Sequence, residues 1–127
     1  MSAMLALALL LGATPASAND DFQERVHAAK MAEAATAGPA YQKALWGKIE
    51  GSTAAAYKGC LTLSKQDKTP FTLVLDVDAQ GKPQRIVVQP ATPTANCMAA
   101  HFASQALPAP PAAPAPYPLE IDFSVAP

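Results

Sequence analysis

Cys97 and His101 are four residues apart, so on a helix they share one face, and a thiolate with an imidazole at that spacing is half of a tetrahedral metal site. Cys60 is the third ligand such a site would draw on, which makes a small metal-handling protein built on Cys60, Cys97 and His101 one reading of the chain. Oxidation is the competing chemistry. The chain has two cysteines, and an even pair in an exported protein, which the leader at residues 1–18 implies, forms a structural disulfide. A metal needs three or four ligands and His27 is the only other imidazole, so a Cys60–Cys97 disulfide is expected, and no metal or other cofactor. Closing that loop stabilises the fold by roughly 3 to 4 kcal/mol in the chain-entropy picture. There is no Cys-x-x-Cys pair for redox work.

Carboxylates are the other reactive groups. Asp76 and Asp78 alternate on one apolar-rich stretch, and Glu120 and Asp122 on another; side by side in a sheet, they would face the same way. Strand carboxylates that face water are ordinarily a solvated surface, and no Gly-bracketed calcium loop accompanies these, so Lys82 and Arg85 are expected to neutralise them. None of the serines sits in a Gly-x-Ser-x-Gly elbow, and there is no Gly-rich phosphate loop and no His-Glu-x-x-His helix. The chain therefore reads as no enzyme. Nine basic residues against ten acidic ones leave no cationic field for nucleic acid or anionic lipid.

The elements that must position these groups begin with a hairpin. Phe71, Leu73, Leu75 and Val77 recur at period two, with Thr72, Val74, Asp76 and Asp78 on the opposite, solvent-facing side. Ala79 to Lys82 turns the chain through Gly81, and Gln84 to Gln89 resumes the alternation with Ile86 and Val88 on one side. Thr92 or Thr94 caps a helix over about Ala95 to Leu107. Leu119, Ile121, Phe123 and Val125 alternate as a last strand. The helix reverses the chain, so an antiparallel sheet requires the order 2-1-3, with the most apolar strand in the centre. The six prolines between Pro108 and Pro118 read as a stiff crossover from helix to last strand, although they also contain Pro-x-x-Pro spacings.

At these residues the chain resembles the C-terminal domain of the TonB and TolA-like periplasmic proteins. The likeness lies in Asp78 to Gly81, in the Val-rich strand Ile86-Val87-Val88, in an Ala-rich helix with a Cys, and in Leu107-Pro108-Ala109-Pro110-Pro111 where the family often has Phe-Pro-Pro. It covers about half of the chain. With neither a retained anchor nor a long Pro-rich spacer expected, and with a helical segment before the hairpin, the resemblance implies a small envelope protein using a related domain. Docking of an extended peptide on a sheet edge is the mode it implies.

Residues 1–18 read as a secretory signal peptide: Met4 to Leu11 is apolar, and Ala16-Ser17-Ala18 is an A-x-A site cut before Asn19. The location is then periplasmic or secreted. About eight apolar residues are too few to span a bilayer, so no membrane insertion is expected after cleavage. Residues 19–127 make one compact α+β domain, with a helical segment at 19–59 and the ββαβ module at 60–127. The segment should hold one helix capped by Asp20 or Asp21 with Glu24. A second should start at Gly38-Pro39 and carry Tyr41, Leu45, Trp46 and Ile49. Gly47 and Gly51 should weaken it, and a third short helix should run from Ser52 to Tyr57, with Leu61 to Asp67 an exposed approach to the sheet. These helices should pack on or beside the sheet.

The expected function is a non-catalytic protein-binding or adaptor module of the cell envelope, with a protein partner or self-association. The candidate interaction edge comprises Arg85, Val87 and Gln89 on the second strand, and Glu120, Asp122 and Ser124 on the third. A second candidate surface is the helix face bearing Trp46. An exported hydrolase inhibitor is the alternative, and Ser64 to Pro70 would be its projecting loop.

Overall fold

The computed structural model of the chain describes residues 18–125. The expected signal peptide falls outside them, except for Ala18. Six elements follow in order: α1 (Ala18–Ala34), α2 (Gly38–Leu63), β1 (Phe71–Val77), β2 (Pro83–Gln89), α3 (Pro93–Ala103) and β3 (Tyr117–Phe123). β1 pairs antiparallel with both β2 and β3, giving an α+β fold whose sheet has the order β2-β1-β3. Alternation sets the register: Leu73 lies opposite Val88 on one side and Ile121 on the other, so one face is continuously apolar.

That face carries the core. Leu45 and Ile49 of α2 and Met98 and Phe102 of α3 pack onto Leu73 and Leu75, all with at most 1% exposure. Each such side chain contributes roughly 1.5 to 3 kcal/mol on burial. The Thr92 hydroxyl accepts from the Ala95 N–H at 3.1 Å, and Pro93 occupies the first helical turn, where its missing N–H costs nothing. The Cys60–Cys97 disulfide, with Cα atoms 5.7 Å apart, joins the last turns of α2 to α3.

Four expectations need correction. The second face of β1 is not solvent-facing: Val74 is 1% and Asp76 7% exposed, because α1 lies across that side, burying Phe22 and Ala29. The sheet is thus covered on both faces.

α2 is one helix of 26 residues, with no break at Gly47, Gly51 or Ser52 and no separate third helix; the expected approach from Leu61 begins as its last turn, and the 59/60 boundary falls inside it. Each glycine costs about 1 kcal/mol relative to alanine. The stripe Tyr41, Leu45, Ile49, Thr53 and Cys60, buried against sheet and α3, outweighs that cost.

α3 ends at Ala103 rather than Leu107, because the Leu107 N–H donates to the Gly81 carbonyl at 3.0 Å instead of continuing the helix. β3 begins two residues earlier than the alternation suggested, at Tyr117, whose ring is buried edge-on against Tyr41 at 5.1 Å.

Candidate functional site

β2 and β3 are the outer strands, and they differ as docking edges. β2 is bounded by Pro83 and Pro90 and broken by a bulge where Leu75 meets both Arg85 and Ile86. Arg85 takes φ 52 there, and its carbonyl accepts from the Arg25 guanidinium at 2.7 Å. Of the residues expected on this edge, Arg85 and Val87 are exposed and Gln89 is half-buried. The bulge and prolines leave little unbroken ladder for another strand.

β3 carries Pro118 at its second position but keeps one register through its seven residues, with no bulge, and it borders a groove of about 300 Å³. One wall comes from α2, with Trp46, Glu50, Thr53 and Tyr57 at successive helical turns; the other is the end of β3 and the two residues after it, from Ile121 to Val125. The groove is mostly apolar. Tyr57 stacks on Phe123 at 5.9 Å between ring centroids, and Phe123 on Phe71 at 4.7 Å, which fixes the floor. The Trp46 indole N–H donates to Gln42 Oε1 at 3.2 Å, holding the ring over the groove mouth. Burial, with a smaller contribution from the Asp67 carboxylate, pushes the Tyr57 hydroxyl above its ordinary pKa of 10.0, so it stays a neutral donor at physiological pH. Thr53 is 6% exposed, and its hydroxyl has no hydrogen-bond partner. The usual acceptor one turn back, the Ile49 carbonyl, already receives the Ser52 hydroxyl at 3.1 Å.

The expected β3 residues lie along this wall or behind it. Asp122 and Ser124 are exposed and line the groove's strand side, whereas Glu120 is tucked under α1 and bound by Lys30 Nζ at 3.2 Å. Burial outweighs that contact, so the Glu120 carboxyl lies above its ordinary value. The four carboxylates do not converge. Asp122 accepts from the Thr72 hydroxyl at 2.6 Å, and Asp78 accepts the Gln80 and Lys82 amides of the turn at 2.9 and 2.8 Å. Asp76 sits between Arg25 at 3.6 Å and Arg85 at 3.4 Å, beside a second cavity of about 220 Å³ walled by Pro114, Pro116 and Pro118.

At the other candidate centre both sulfurs are bonded to each other, and among the described residues no three His, Cys, Asp or Glu side chains are placed to hold a metal. His101 Nε2 is buried without a partner, and burial depresses its pKa below 6.5. The segment 64–70 does not project freely: Ser64 hydrogen-bonds Thr94, whose hydroxyl also donates to the Asp67 carbonyl at 2.8 Å. Trp46 was legible as a surface residue from the sequence. Thr53 and Tyr57 were not, because reading them on the same wall as Trp46 requires an unbroken α2.

Fold and groove together define a small α+β domain with one open, apolar-flanked sheet edge. In comparison with known proteins, no family model, no curated protein and no solved structure matches the chain. Among the described residues no helix is long and apolar enough to cross a membrane.

Proposed function

We propose that the chain is an exported, non-catalytic binding module of the cell envelope, periplasmic or secreted, that takes an extended protein segment along its β3 edge. One observation carries the reading: an unbroken outer strand runs beside an apolar groove, the arrangement in which a strand adds by main-chain hydrogen bonds while alternate side chains enter pockets. The A-x-A leader and the disulfide favour the compartment, since a bridge of this kind persists where thiols are not kept reduced. The resemblance of the hairpin and last strand to TonB and TolA-like C-terminal domains supports the same mode.

The test is selection from a displayed library of random peptides, followed by binding to the wild-type protein and to Ala54→Phe. Ala54 is exposed on α2 and lines the groove, so the larger ring fills it without disturbing the core. Selected peptides that lose binding to Ala54→Phe and shift the amide resonances of β3 are the expected result. Peptides that bind both proteins equally, or a library that yields none, would overturn the reading.

A further inference from the structure

We infer that the segment taken by the β3 edge alternates apolar side chains with lysine or arginine, the apolar ones entering the groove and the basic ones lying along the α1 side of the sheet. This rests on the strand-addition reading and adds the chemistry of the occupant. A strand added beside β3 continues its pleat, so successive side chains fall alternately on the two faces. On one face they meet Trp46, Tyr57 and Phe123. On the other they meet the surface where Asp122 lies opposite Thr72 and Glu120 opposite Val74.

The two faces differ in charge as well as polarity. On the α1 side, Lys30 is surrounded by Glu120, Asp122 and Glu33, three carboxylates to one ammonium. The groove side adds Glu50 and no basic side chain. An occupant with acidic or neutral outward residues would leave this excess uncompensated, whereas lysine or arginine at every second position meets it.

Trp46 is the chain's single tryptophan and lines the groove, so its emission reports occupancy without a label. Four synthetic peptides of seven residues, the length of β3, suffice: valine alternating with lysine, with glutamine or with glutamate, and a block peptide of the lysine composition with its valines and lysines segregated. The alternating lysine peptide should bind about tenfold tighter than the glutamine peptide, with the glutamate peptide weaker still, and the preference should shrink as salt is raised. Glu33→Gln with Asp122→Asn, which removes two of the three carboxylates around Lys30, should abolish the lysine peptide's advantage over the glutamine peptide. Equal binding of the lysine and glutamine peptides would overturn the charge inference and leave strand addition standing. Equal binding of the block peptide would overturn it too, by showing attraction without register. If none of the four shifts Trp46 emission, the inference fails; the library selection then decides separately whether the edge binds peptides of another pattern or none.

Discussion

The glycines separate two meanings that the sequence alone presents alike. Gly81 has φ 85, and a Cβ there would lie 2.0 Å from the Leu107 carbonyl oxygen, so both its backbone and its surroundings demand glycine. Gly47 is exposed in the middle of α2, with nothing within 4 Å of an added Cβ. Urea unfolding should accordingly show Gly81→Ala destabilised by about 2 to 3 kcal/mol, and Gly47→Ala stabilised by about 0.5 to 1 kcal/mol. Equal shifts in the two variants would contradict the geometry. His101 provides a pH test. Its folded pKa lies below the unfolded 6.5 because burial disfavours the imidazolium, so the unfolded chain binds the extra proton. Stability from this group is present above 6.5 and is lost as pH falls through 6.5 toward the folded value. The urea midpoint of the wild type should therefore fall across that window more steeply than that of His101→Gln; parallel profiles would mean that the ring titrates alike in both states.

At the scale of elements, the hairpin, the sheet order and the capped α3 were legible because period-two and capping signals are local and here agree with the fold. The cover on the second face was not. β1 shows only Val74 as an apolar residue inside that face, and Asp76 reads as a water-facing carboxylate until Arg25, more than a helix away in sequence, is placed beside it. The groove was illegible for the same reason that α2 was read as broken, since local propensity at Gly47 and Gly51 argued against the tertiary burial that decides the matter. The Asp76 cluster turns this into a prediction. Arg25 has a side chain 11% exposed and depends on Asp76 for compensation, whereas Arg85 is 62% exposed and keeps its water. Asp76→Asn should cost about 2 kcal/mol and Arg85→Ala less than about 1 kcal/mol. In a double-mutant cycle with Arg25→Met, the Asp76 cost should fall by about 1 kcal/mol or more, because the stranded guanidinium is gone. Strict additivity would show that the Arg25–Asp76 pair contributes nothing to holding α1.

For the whole molecule, the apolar contacts and the disulfide do different work. α1 and α2 close the two faces of the sheet through burial, but α3 is short, and it reaches the last turns of α2 through the bridge as well as through packing. The bridge spans a sequence separation of 37 residues that contains β1, β2 and the start of α3, so it holds the central strand and one edge of the sheet within a closed loop. A loop of that length lowers the entropy of the unfolded chain by the equivalent of about 4 kcal/mol, against a total of roughly 5 to 15 kcal/mol for a typical domain. Cys60→Ala with Cys97→Ala should therefore still fold, since the core residues of α2, β1 and α3 remain, with a lowered urea midpoint and a somewhat larger m-value, because the unfolded chain is less compact without the bridge. The purified protein should show no titratable thiol until it is reduced. A double variant with the wild-type midpoint would show that the bridge contributes nothing and that packing alone seats α3. One that fails to fold would show that packing alone is too weak to hold the domain together.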